Sequence, residues 1–126
     1  MGTTVLIVDD SKLARIVVSK ALDALQPDWA RIEAASAEDA LQVIGAEQVD
    51  VVMIDYNMPG RDGLSLAEEL REKYPQMPIA VATANIQDEI VARARAANAT
   101  FIPKPVTEDS LRGFISGAAL RLKAAR

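Results

Sequence analysis

The sequence predicts an α/β domain: a doubly wound, five-stranded parallel sheet with five helices on its two faces. Five short β-like runs alternate strictly with five helix-like segments along the 126 residues. Strict alternation implies parallel strands joined by right-handed helical crossovers. Two of the runs, Val5-Leu6-Ile7-Val8 and Val51-Val52-Met53-Ile54, are continuously apolar rather than alternating, as strands covered on both faces are. Order 2-1-3-4-5 is common for five such units, although alternation alone leaves the order open.

Each element has its own reason. The first run, Val5–Val8, is followed by a helical stripe of Leu13, Ile16, Val17 and Ala24. The second, Ala30–Ala34, leads to Ser36, whose hydroxyl suits an N-cap before an acidic first turn, and to the stripe Ala37, Ala40, Leu41 and Ile44. The third spans Val49–Ile54; Asp62-Gly63 then reads as a turn before Leu66, Ala67, Leu70 and Tyr74. Pro75 and Pro78 stop that helix ahead of the fourth run, Ile79–Ala82. The fourth stripe is Ile86, Ile90, Ala94 and Ala97. After the fifth run, Thr100–Ile102, Thr107 offers an N-cap to a helix striped by Leu111, Phe114, Ile115, Ala118 and Leu122.

Length fits one domain, residues 1–126. Composition is ordinary for a globular protein, 50% hydrophobic and 25% charged. With no cysteine and no histidine, the chain cannot form disulfides, thiolate or imidazole metal sites, a Ser–His triad, or its own phosphohistidine. A net charge of −4 argues against a nucleic-acid surface. Met1-Gly2-Thr3-Thr4 carries no signal-peptide pattern, and Leu6 breaks the myristoylation pattern. No apolar run is long enough to cross a bilayer. The expectation is a soluble cytoplasmic protein.

Ligands of such sheets bind outside the carboxyl ends of the strands, and the polar residues concentrate there. The first strand ends in Asp9-Asp10, the third in Asp55, the fourth in Thr83, and the fifth leads into Lys104-Pro105. If strands one and three are neighbours, three carboxylates share one pocket. Two of them about 4 Å apart repel by roughly 4 kcal/mol at an effective dielectric near 20, so a cation or a retained proton is needed. All-oxygen ligands select magnesium, calcium or manganese, and few carboxylates with open positions suit magnesium. Lys104 adds a compact positive charge and Thr83 a hydroxyl, which together describe a place for a phosphoryl group. Asp55 is the better nucleophile candidate, because Pro59-Gly60 turns the chain away and leaves it at the mouth. Ala84 has almost no side chain, so a phosphoryl group can approach from its side.

The segments Val8-Asp9-Asp10-Ser11, Asp55-Tyr56-Asn57-Met58-Pro59-Gly60, Thr83-Ala84 and Lys104-Pro105 resemble, in order and spacing, the four signatures of response-regulator receiver domains. The resemblance runs from about Thr4 to Leu122, and none of the core positions departs from it. It implies a flavodoxin-like fold in the order 2-1-3-4-5, with Asp55 as phospho-acceptor. It also implies Mg2+ held by Asp10, Asp55 and the backbone carbonyl of Asn57, with Asp9 assisting through water. Lys104 and Thr83 would meet the phosphoryl oxygens, and Ala84 and Phe101 would belong to the switch. Asn57 and Asn85 occupy positions that in the family tune phosphoryl loss. The implied donor is a histidine kinase or histidine phosphotransfer protein, and a downstream protein target would meet helix 4, strand 5 and helix 5. The module is not an enzyme beyond its own phosphorylation and dephosphorylation. It would be a monomer or a phosphorylation-dependent dimer, in contact with neither nucleic acid nor membrane. With no output domain following the fifth helix, a free-standing module is favoured.

Plainer readings exist for each residue. Asp10 and Ser11 suit a helix cap, Lys104 a solvated lysine, Thr83 a strand residue and Phe101 the core. Glu68-Glu69 with Arg71-Glu72-Lys73 reads as a solvated helix face, as do Arg93 and Arg95. Their joint occurrence at four strand ends favours the phosphoryl site. An aspartate-nucleophile phosphatase would need a second acid where Asn57 stands, and a nucleotide or flavin binder would need a loop less acidic than Asp9-Asp10-Ser11-Lys12. A receiver fold used only for binding would have no need of the intact core positions.

Overall fold

The computed structural model describes residues 2–84 and 86–125. Its five strands are β1 (Thr4–Val8), β2 (Ala30–Ala34), β3 (Val51–Asp55), β4 (Ile79–Thr83) and β5 (Thr100–Pro103). The helices between and after them are α1 (Lys12–Leu25), α2 (Ala37–Ala46), α3 (Gly63–Lys73), α4 (Asp88–Ala96) and α5 (Glu108–Ala125). All neighbouring strands are parallel, in the order β2-β1-β3-β4-β5. The third run is shorter at its start than the sequence suggests, because pairing with β1 begins at Val51.

Alternate residues of each strand feed two separate cores, which is why β1 and β3 are apolar throughout. Leu6, Val8, Val52, Ile54, Ile79 and Val81 pack under α2, α3 and α4. Val5, Ile7, Val51, Met53, Ala80 and Ile102 pack under α1 and α5. The chain crosses from one face to the other between β1 and β3, so a crevice opens beyond their carboxyl ends. Among the described residues no helix is long and apolar enough to cross a membrane.

Helix starts follow the expected chemistry. Ser36 Oγ accepts from the Asp39 N–H (3.1 Å), and Thr107 Oγ1 accepts from the Ser110 N–H (3.1 Å). Ser110 Oγ returns a bond from the Thr107 N–H (2.8 Å), closing a capping box. Ser11 caps α1 by accepting from the Ala14 N–H (3.2 Å).

Three expectations need correction. The α1 stripe is wrong: Leu13, Ile16, Val17 and Ala24 are exposed, and Val18, Ala21 and Leu22 are buried instead. Ile86 is exposed and precedes α4, so that helix is anchored by Ile90, Ala94 and the following Ala97. Asp62-Gly63 is more than a turn. Asp62 Oδ1 accepts from the Ser65 N–H (2.7 Å), making Asp62 the N-cap of α3, and Gly63 is its buried first residue.

Candidate functional site

Register places the site. Val8 lies abreast of Ile54 in the β1–β3 pairing, so Asp9 and Asp55 leave neighbouring strands side by side. Asp9, Asp10 and Asp55 each offer a carboxylate oxygen, and these atoms lie within 4.8 Å of one another. Asp9 and Asp55 are buried, whereas Asp10 is exposed. A pair of unit charges at that separation repels by about 3–4 kcal/mol at an effective dielectric near 20.

Partial relief comes from the residue that follows β5. The Lys104 ammonium pairs with Asp55 Oδ1, its side chain reaching from 31% exposure to an acid that is 5% exposed. That oxygen accepts no hydrogen bond from a described residue, so among the described residues its ion-pair partner is the ammonium. Asp9 is held above its ordinary range chiefly by burial, and further by the Asp55 and Asp10 charges. The Ser11 N–H (2.9 Å to Oδ1) and Lys104 pull the other way. Three carboxylates against one ammonium leave two formal negative charges unmet. The donor set is all oxygen, partly open to water, and short of two positive charges, which fits a hard divalent ion.

The remaining expected residues surround this cluster. Thr83 ends β4 and is fully buried; its carbonyl accepts from the Lys104 N–H (3.1 Å), which fastens the fifth strand end to the fourth. Asn57 and Ala84 are exposed in the loops after β3 and β4, and Phe101 is half-buried on β5 beside Val81. Asn85 lies outside the described residues. A mostly apolar cleft of about 290 Å3 runs from Asp55 and Lys104 between α1 and the segment after β5, past Leu13, Val17, Pro105 and Val106.

Two residues at the site escape the sequence reading. Gly63 packs against the main chain of Asp55: a Cβ built there would sit 2.3 Å from the Asp55 carbonyl oxygen. The usable signal is a glycine opening a helix right after an N-cap Asp, where propensity disfavours it unless backbones must touch. Arg15 reaches back from α1 to the Asp9 carbonyl oxygen (2.5 Å) and to Glu33 (2.6 Å). Nothing in the local pattern marks it.

Comparisons with known proteins agree with this geometry. A family profile described as "Response regulator receiver domain" matches residues 5–116. The response regulator protein FleR of Pseudomonas aeruginosa is 32% identical over 121 residues, covering 95% of this chain and 25% of that protein. The positive alginate biosynthesis regulatory protein of the same organism is 36% identical over 111 residues, covering 85% of this chain and 43% of that protein. The chain spans about a quarter to a third of the length of the first curated relatives it matches. Among solved structures, the chemotaxis response regulator CheY4 of Vibrio cholerae superposes with a TM-score of 0.80 at 26% identity, covering 94% of this chain and 99% of that one. The response regulator protein TrrA of Thermotoga maritima, in complex with Mg2+–BeF, gives a TM-score of 0.80 at 26% identity over 92% of this chain and 98% of that one.

Proposed function

This chain belongs to the response regulator receiver domain family, and we propose that Asp55 is its phospho-acceptor. Members of the family take a phosphoryl group onto an aspartate with Mg2+. The observation that carries the assignment is the buried Asp55 carboxylate, ringed by Asp9 and Asp10 and paired with Lys104.

Asp10, Asp55 and the backbone carbonyl of Asn57 would hold the ion, with Asp9 assisting through water. When bound, Mg2+ supplies charge neutralisation for a phosphoryl group and a fixed orientation for it. The donor is a phosphohistidine on a histidine kinase or phosphotransfer protein. Asp55 attacks phosphorus in line; the P–N bond breaks, and the imidazole keeps the electron pair as leaving group. Lys104 follows the charge from Asp55 Oδ1 onto the phosphoryl oxygens, and the Thr83 hydroxyl donates to one of them. Water later attacks phosphorus, breaking the P–O bond to Asp55 and releasing inorganic phosphate.

Thr83 gains its phosphoryl bond only in the modified state, which biases the domain toward its active conformation. Ala84 leaves space for the group, and Phe101 turns inward as Thr83 moves. The α4–β5–α5 face then meets a protein target. We read residues 1–126 as one such domain working in the cytoplasm, monomeric or pairing when phosphorylated. Leu13 and Val17, exposed on α1, border the mouth, where a donor protein would cover them.

The test is titration with beryllofluoride and Mg2+, a phosphoryl mimic, followed by NMR, beside labelling from a phosphorylated donor. Wild type should respond and be labelled, and Asp55→Asn should do neither. A labelled Asp55→Asn protein would move the acceptor elsewhere.

A further inference from the structure

Arg15 contributes no atom to the carboxylate cluster, yet it grips the main chain that carries two of its members. We propose that Arg15 is a positioning residue for the cation site, fixing the peptide between Asp9 and Asp10 so that the Asp10 carboxylate is aimed at the ion. The proposal rests on the reading above that Asp10 is a ligand.

Both main-chain polar groups of Asp9 and one of its carboxylate oxygens are already committed. Its N–H donates to the Ala34 carbonyl (3.0 Å), which extends the β1–β2 ladder by one residue. Its Oδ1 accepts from the Ser11 N–H (2.9 Å). Its carbonyl oxygen, beyond the end of β1, accepts from Arg15 Nη1 (2.5 Å). Asp10 differs: it is exposed, and its carboxylate is hydrogen-bonded to no described residue. The direction in which its side chain leaves the main chain is set by the backbone, and the peptide plane entering it is the one Arg15 holds.

Glu33 completes the device. Its carboxylate takes Arg15 Nε at 2.6 Å, and the Arg15 side chain is only 15% exposed. A planar guanidinium with two acceptors in its plane is fixed in rotation. Held this way, Nε and Nη1 are engaged by Glu33 and the Asp9 carbonyl rather than by a ligand carboxylate. Glu33 sits on β2, so the edge strand that contributes no ligand still orients one.

The experiment is Mg2+ binding by calorimetry on wild type, Arg15→Met, Glu33→Gln, Asp10→Asn and the Arg15→Met/Asp10→Asn double variant. Residues that orient a metal ligand typically change affinity by about tenfold or more when lost, and Arg15→Met should weaken binding by about that much. Glu33→Gln should weaken it less. In the Asp10→Asn background, Arg15→Met should change affinity by less than about twofold, since its route through Asp10 is gone. In metal-free protein, amide exchange at Asp10 and Ser11 should quicken in Arg15→Met. If that variant fails to fold, Arg15→Lys, which keeps the charge but cannot span both acceptors, should show the same pattern more weakly. Unchanged affinity in the Arg15 variants, or an equal loss with and without Asp10, overturns the proposal. Wild-type protein that binds no Mg2+ would instead defeat the reading of the site itself.

Discussion

Gly63→Ala isolates a contact between the start of α3 and the acceptor strand. An ideal Cβ at position 63 would lie 2.3 Å from the Asp55 carbonyl oxygen, 2.9 Å from its carbonyl carbon and 2.9 Å from Ile54 Cγ2. Relief requires backbone movement, because the two nearest atoms are main-chain atoms of Asp55 at the end of β3 and the new Cβ is fixed to the start of a capped helix. The Gly63 N–H also donates to the Tyr56 carbonyl (2.9 Å), a bond that any such movement stretches. Overpacking of this kind costs about 1–3 kcal/mol, and a weakened buried hydrogen bond adds about 1 kcal/mol. The gain in helix propensity from Gly to Ala returns at most about 1 kcal/mol. The net expectation is a loss of about 1–3 kcal/mol, a large share of the roughly 5–15 kcal/mol of a typical domain. Urea unfolding measures it, with Mg2+ affinity as the second readout, because the displaced main chain carries Asp55. Gly113→Ala and Gly117→Ala are matched controls in α5, where a new Cβ meets nothing within 4 Å. Propensity alone should make each of these about 0.5–1 kcal/mol more stable. If Gly63→Ala proves as harmless as the two controls, the argued contact between α3 and Asp55 is wrong.

Other perturbations separate stability from function. The Arg71 guanidinium donates to four carbonyl oxygens, those of Tyr74 and Pro75 after α3 and those of Ala97 and Asn98 after α4, at 2.9–3.1 Å. Arg71→Met should cost about 2–3 kcal/mol by urea unfolding, less than four full bonds because water can take the more exposed carbonyls. Asp9 carries a raised carboxyl pKa, so just above its ordinary value of 3.8 the folded state binds more protons than the unfolded one. Stability therefore falls as pH rises through that window, and the ionised group is a net cost at neutral pH. Asp9→Asn should raise the Tm of metal-free protein at pH 7 and lower the stabilisation that Mg2+ adds; a Tm below wild type in chelator would refute the sign. Lys104→Ala should still accept some phosphoryl label while losing phosphorylation-dependent partner binding, and binding that persists would remove Lys104 from the switch.

The fold was legible because its main signals are redundant. A both-sided strand can only read as an unbroken apolar run, and β1 and β3 do so over Val5–Val8 and Val51–Ile54. The failure in α1 has an equally definite cause. Leu13, Ile16 and Val17 keep the same helical period as Val18, Ala21 and Leu22, so the segment carries two apolar stripes a fraction of a turn apart. Periodicity says that a stripe exists, but not which one meets the sheet. That choice depends on where α1 lies relative to α5, a non-local fact. Leu13 and Val17 of the stripe left in water also border the mouth of the site.

The site was legible in its acids and its lysine because charge at a strand's carboxyl end is itself a local anomaly. Asp9, Asp10, Asp55 and Lys104 each interrupt or follow an apolar run, and burying Asp9 and Asp55 needs a reason that an ion supplies. Gly63 and Arg15 were invisible for the opposite reason. A glycine after Asp62 is unremarkable in a turn, and an arginine in a first helical turn is unremarkable on a surface. Their effect depends on what lies across the fold: the Asp55 main chain for one, Asp9 and Glu33 for the other. Ligand chemistry is thus written in the types of residue at the strand ends. The aim of those ligands is written in the packing of α1 and α3 against them, and only the assembled sheet brings the two together.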